Sequence, residues 1–257
     1  MPLPAVPLPM SLSRFRPAAS RMGQALHLST NLRGKLPCLC LVTDRTIGEP
    51  DSLADRIAQA VAGGVDMVQL REKDLPGGQL LELAIALKTA IASNAILLVN
   101  ERVDVAIAAG ADGVQLGESA LPIAPVRNLI GPQALIGRSV HSVEGGGMAA
   151  SLGADFLLAG TMFSTRSHPG IEPVGPSLIR AIAQNVAGTS NIVPVIGIGG
   201  ITADNLSEVI HAGASGVAVI TSILASSDPK TEAGRLKDAM LDAWRNRSPV
   251  VSTSPVA

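Results

Sequence analysis

The sequence predicts an α/β chain folded as one (β/α)8 TIM barrel, and three observations predict it. Short apolar runs alternate with longer amphipathic stretches from Leu39 onward. One punctuation recurs where a helix hands over to a strand, in Ala62-Gly63-Gly64-Val65-Asp66, Ala109-Gly110-Ala111-Asp112, Leu152-Gly153-Ala154-Asp155 and Ala212-Gly213-Ala214-Ser215. The interval 37–246 also has the length that eight βα units occupy. A doubly wound open sheet would more often need fewer units.

Taken in order, Leu39 to Thr43 opens the series as an apolar run suited to a strand covered on both faces. An amphipathic helix over 53–62 leads to a strand over 67–71, and a helix over 79–92 to a strand over 96–100. The helix over 103–109 precedes the strand 113–116, and the strand 135–139 precedes the helix 143–152. Strands over 156–159, 193–198 and 217–220 follow, with helices over 177–185, 206–212 and 232–244. In the recurring punctuation, glycine supplies the left-handed helix cap, and the small residue after it lets the chain enter the barrel floor.

Composition narrows the function classes. Hydrophobic residues make up 47% and charged residues only 16%, a deficit that fits strands buried on both faces. With 2% aromatics and a net charge of −1, the chain has neither the stacking platforms nor the basic footprint of a nucleic-acid binder. Cys38 and Cys40 stand two apart on a strand and face one side as small buried hydrophobes, with no further Cys for a structural zinc site. The longest uncharged stretch, 181–203, holds Gln184, Asn185, Asn191, Pro194 and four Gly, so it reads as helix end, loop and strand. No membrane association is expected.

The ends differ from the middle. Residues 1–36 carry no acid but contain Arg14, Arg16, Arg21, Arg33 and Lys35, with Pro2, Pro4, Pro7 and Pro9. That composition resembles an organellar transit peptide. The plainer readings, a disordered leader or a start at Met10 or Met22, weigh more, because targeting signals are only compositional. They leave the protein in the cytoplasm. Cutting before Lys35 is therefore expected to be harmless, since no apolar periodicity ties the leader to the barrel. Residues 247–257 read as an unfolded tail.

In a barrel the chemistry lies where strands end and βα loops begin. Gly197-Ile198-Gly199-Gly200 ends the seventh strand, and Ile220-Thr221-Ser222 the eighth. Alone, such glycines merely turn a chain; here they are expected to let backbone N–H groups of Gly199, Gly200, Ile220 and Thr221 approach a phosphate. Gln69, Arg71 and Lys73 alternate on the second strand, so they point the same way into the mouth. Two converging cations suit an anion such as pyrophosphate, against the plainer alternative of ion pairs with Glu72 and Asp74. His141, directly after the fifth strand, is placed to act as general acid and base, while Ser142 can cap the next helix unaided.

Gln69 to Lys73, Asn100-Glu101-Arg102-Val103-Asp104, Gly113 to Gly117, Gly137 to Ser142, Thr161 to Gly170 and Gly197 to Ile201 together resemble the thiamine phosphate synthase and thiazole tautomerase superfamily. The resemblance covers roughly residues 39–244 in order. It implies a thiazole phosphate held by Gly200, Ile220 and Thr221. It also implies ligand contacts at Gln69, Arg71, Lys73, Asn100, Ser139, Thr165, Ser167 and His168.

The two activities of that superfamily need different parts. The synthase joins an aminopyrimidine diphosphate to thiazole phosphate and expels pyrophosphate with Mg2+, held by carboxylates after the third and fourth strands. Here the first position is Glu101, whereas the second falls on Ala120, with Glu118 two residues off, and the pattern's loop Lys falls on His168. Fewer hard oxygen ligands weaken such a site. The tautomerase aromatises a carboxythiazole phosphate through a histidine at the His141 position and needs no cofactor. The sequence reading therefore favours a metal-independent tautomerase, with the Mg2+-dependent synthase as alternative and a non-catalytic regulator that binds a phosphorylated metabolite as a third. Small-molecule ligands are the expected partners, and a homo-oligomer is compatible with each reading.

Overall fold

The computed structural model describes residues 32, 34–48, 53–165, 170, 172–187 and 193–247. Eight parallel strands close in sequence order into one barrel: β1 (Cys38–Val42), β2 (Met67–Leu70), β3 (Ile96–Asn100), β4 (Gly113–Leu116), β5 (Leu135–Val140), β6 (Phe156–Gly160), β7 (Val195–Ile198) and β8 (Gly216–Val219). Among the described residues the helices are α1 (Leu53–Ala62), α2 (Gly77–Ile91), α3 (Val103–Ala108), α4 (Ile123–Ile130), α5 (Val143–Ser151), α6 (Pro176–Ala187), α7 (Leu206–His211), α8 (Thr221–Leu224) and α9 (Pro229–Arg245). No helix among them is long and apolar enough to cross a membrane. Helices α4 and α8 are absent from the sequence expectation. Pro122 and Pro125 blur the apolar period of α4, and α8 is a single turn.

Strand alternation sorts the apolar residues into two layers. Leu39, Leu41, Val68, Leu97, Val99 and Val217 face outward and pack under the helices. Cys38, Cys40, Val42, Met67, Leu98, Phe156 and Ile196 fill the barrel interior. Both thiols are buried, as their spacing predicts, and burial pushes Cys40 up to about 12.

The recurring punctuation has a further physical basis. Gly64, Gly110, Gly153 and Gly213 all adopt positive φ, which frees the chain to turn from helix to strand. The following acid then reaches the preceding strand. Asp66 accepts the Leu39 N–H and the Lys237 ammonium, Asp112 the Leu97 N–H and Lys88, and Asp155 the Ile136 N–H and Arg127. Each carboxylate thus ties two strands and a helix together at the floor.

Leu32 alters one expectation. It is 2% exposed and packs, with Leu36 beside it, on the interior cluster at the floor, while Lys35 Nζ donates to the Asn94 carbonyl at 2.7 Å. Cutting before Lys35 would uncover the barrel interior, so the expectation of a harmless cut is corrected. One isolated leucine gives no period for a sequence reading to find. The rest of the expected leader, apart from Gly34, Lys35 and Leu36, and the tail beyond Arg247 lie outside the described residues.

Candidate active site

The opposite face holds a cavity of about 570 Å³ at the strand C-termini. Gln69, Arg71, Lys73, Asn100, Glu101, Ser139, His141, Thr165, Gly199, Gly200, Ile220 and Thr221 all line it. Ser167 and His168 lie outside the described residues. One wall is apolar, formed by Val42, Leu158, Ile198 and Ala218 from the upper end of the barrel interior.

The side formed by β7 and β8 is built from backbone. Gly199 and Gly200 have φ of +107° and +63°, which side-chain-bearing residues rarely adopt. Space also excludes them: a β-carbon on Gly199 would lie 2.5 Å from Thr161 Cγ2, and one on Gly200 2.5 Å from the Ser164 carbonyl oxygen. The N–H groups of Gly199, Gly200 and Ile201 find no backbone acceptor among the described residues. Asn205 holds this loop, donating from Nδ2 to the Gly200 carbonyl at 3.0 Å and accepting the Thr202 N–H at 2.8 Å. In a trans peptide this turns the Ile201 N–H away from Asn205. Ser222 Oγ donates to the Ile201 carbonyl at 2.6 Å, joining the β7 loop to the turn after β8. The result is a cluster of free donors fit for an anion. Sequence reasoning passed over Asn205, although Thr202-Ala203-Asp204-Asn205 has the residues of a side-chain-closed turn.

Across the cavity stand the cations. Arg71 has no ion-pair partner among the described residues, and Lys73 Nζ lies 4.0 Å from Glu101 Oε1. Glu72 and Asp74 do not pair with either cation; both belong to Arg45. That bond holds the Asp74 carboxyl down at about 2. Below the cations, Gln69 Nε2 donates to Asn100 Oδ1 at 2.9 Å, and Gln115 Nε2 to Ser139 Oγ at 3.0 Å.

Two carboxylates reach the same space. Glu101 adopts φ +60°, fixed by its N–H on the Gln115 carbonyl and its own carbonyl on the Val103 N–H. Its carboxylate rests against Gly117, where a β-carbon would collide with Oε1. Glu118 Oε2 lies 3.0 Å from His141 Nδ1, a pairing between βα loops that no local pattern reveals. Ala120 is not in the cavity lining and packs on the outer core. Ser142 caps α5 by accepting the Gly145 N–H, which leaves His141 free of that task.

Comparison with known proteins places this geometry. The family model described as thiamine monophosphate synthase matches residues 39–223. A thiamine-phosphate synthase of Desulfitobacterium hafniense is 40% identical over 210 residues, covering 81% of this chain and 97% of its own. One from Methanoculleus marisnigri is 42% identical over 206 residues, with 80% and 96% covered. The solved thiamine phosphate pyrophosphorylase of Pyrococcus furiosus is similar at a TM-score of 0.73 and 33% identity, over 82% of this chain and 98% of that one. These relatives carry the name of the synthase, so the preference for the tautomerase gives way to the alternative. The matched span takes in every strand of the barrel and both sides of the cavity, and the chain is an enzyme of thiamine biosynthesis that belongs to the thiamine monophosphate synthase family.

Proposed function

We propose that the chain couples hydroxymethylpyrimidine diphosphate to thiazole phosphate, giving thiamine phosphate and pyrophosphate. One observation carries the reading: a single cavity has Arg71, without an ion pair among the described residues, and Lys73 on one side and a backbone anion cradle on the other. Two phosphate-bearing substrates need two such places. Arg71 and Lys73 hold the diphosphate and neutralise it as the carbon–oxygen bond breaks with its electron pair going to pyrophosphate. The cradle of Gly199, Gly200, Ile220 and Thr221 holds the thiazole phosphate, so that the ring nitrogen supplies the pair for the new carbon–nitrogen bond. The apolar wall of Val42, Leu158, Ile198 and Ala218 keeps water from the electrophilic carbon.

The donor set fits Mg2+. Glu101 and Glu118 present carboxylate oxygens to the cavity, and no group of three or more metal-ligating side chains occurs among the described residues. Magnesium is commonly held in this manner, by one or two carboxylates together with substrate phosphates and water. When bound it would add positive charge beside the departing pyrophosphate. The Ala120 position supplies no ligand, which leaves Glu118 as the second carboxylate.

The test offers purified protein both substrates with Mg2+ and with EDTA. Thiamine phosphate should form only with the metal. Aromatisation of the carboxythiazole phosphate in EDTA, with no thiamine phosphate under either condition, would return the assignment to His141 and the tautomerase.

A further inference from the structure

Among the described residues Glu72 is the one carboxylate buried at the mouth, its side chain 3% exposed, yet it lies between Arg71 and Lys73 in sequence and pairs with neither. Two residues past the end of β2, its side chain turns to Thr43 and Arg45, while Arg71 and Lys73 line the cavity. There it accepts three hydrogen bonds, from Thr43 Oγ1 at 2.7 Å, the Arg45 N–H at 3.1 Å and Arg45 Nη1 at 3.1 Å. The Thr43 oxygen in turn accepts the Arg71 N–H at 2.9 Å. Glu72 therefore joins the loop after β1 to the end of β2 and fixes the backbone from which the Arg71 side chain departs.

A buried carboxylate with three donors is a rigid anchor, because losing any partner would leave a charge without compensation. Among the described residues nothing bonds the Arg71 guanidinium, and its position is set from the backbone end. We infer that Glu72 is a positioning residue for the diphosphate side of the cavity, acting through Thr43 and the Arg71 backbone. The inference rests on the assignment of Arg71 to the diphosphate. Among the described residues the β7–β8 cradle makes no bond to this network, so the effect should be confined to one ligand.

The test measures binding of two probes, inorganic pyrophosphate with Mg2+ and thiazole phosphate, to wild type and to Glu72→Gln, Thr43→Val and Arg71→Ala. Glu72→Gln keeps the shape but sets an amide NH2 against Arg45 donors. It should weaken pyrophosphate roughly 10- to 100-fold, the scale of a displaced contact group, and leave thiazole phosphate within about twofold. Thr43→Val should follow in the same direction, and Glu72→Asp should restore part of the loss. If Arg71→Ala abolishes pyrophosphate binding while Glu72→Gln and Thr43→Val do not alter it, the positioning role is wrong and the diphosphate site stands. If Arg71→Ala itself leaves pyrophosphate binding intact, the diphosphate assignment fails first. Equal weakening of both probes by Glu72→Gln would mark a general structural role and overturn the inference.

Discussion

The two faces of the barrel use charge in opposite ways. At the floor, Asp66, Asp112 and Asp155 each bind a strand N–H and a helix cation, and Lys237 and Arg127 also donate to nearby backbone carbonyls. At the mouth, among the described residues, Arg71 lacks an ion pair and the N–H groups of Gly199, Gly200 and Ile201 lack backbone acceptors. Satisfied groups stabilise a fold, whereas unsatisfied cations and donors make a concave face ready for an anion. Among the described residues, the same chemical groups find their partners within the chain on one face and lack them on the other.

The largest expected effect breaks this contrast at both ends. Arg71→Ala should lower turnover roughly 10²- to 10³-fold, the scale of removing a preorganised charge donor, with the melting temperature unchanged. Asp155→Ala should do the reverse. Its side chain is 16% exposed, and its loss strands the Ile136 N–H and takes the carboxylate from Arg127, which keeps only backbone carbonyls. A cost of roughly 2 kcal/mol, or about 4–8 °C, should follow while turnover at 25 °C stays near wild type. Thermal melts and steady-state rates on the same preparations decide it. A fall in activity with Asp155→Ala matching that of Arg71→Ala would dissolve the distinction between faces.

Those two faces were not equally legible in the sequence. The floor repeats one short phrase, and a phrase such as Leu152-Gly153-Ala154-Asp155 encodes its own turn, so strand order and glycine caps could be read directly. At the mouth, alternation placed Gln69, Arg71 and Lys73 correctly because a strand fixes side-chain direction locally. What failed were contacts between loops: Glu118 with His141, Glu72 with Thr43, and Arg45 with Asp74. Each joins residues more than twenty positions apart, and no periodicity records such a meeting. The choice between two reactions failed for the same reason. It hung on one histidine and two acid positions, whereas the relatives weigh the whole barrel.

An intermediate effect tests the floor where composition misjudged it. Removing residues 1–34 takes away Leu32, and Leu32→Ala removes only its side chain. Either should lower stability by about 2 kcal/mol, at the lower end for a buried leucine because the floor lies near solvent. Chemical denaturation of both variants is the measurement. An unchanged midpoint would mean that Leu36 alone closes the floor, while a loss only in the truncation would place the contribution elsewhere in the removed segment.

The smallest effect concerns the dry layer that separates the faces. Cys40 lies there, and burial holds its thiol protonated up to about 12; Cys38 is shifted in the same direction by burial first and by Cys40 and Asp66 after it. In the unfolded chain the same thiols ionise near the ordinary value of 9.0. The folded value is the higher one, so below pH 9 the thiols leave stability unaffected. Above it, the unfolded state releases protons that the native state keeps. Stability should therefore decline from pH 9 toward 12, by about 1 kcal/mol per thiol at pH 10. The informative quantity is a difference in slope between wild type and variant. Denaturation of wild type and Cys40→Ala at pH 8, 9 and 10 should show a shallower decline in the variant. Native protein at pH 8 should also resist alkylation by iodoacetamide until it is unfolded. Parallel slopes together with rapid native alkylation would show water reaching the layer, and the two faces would then not be insulated from each other.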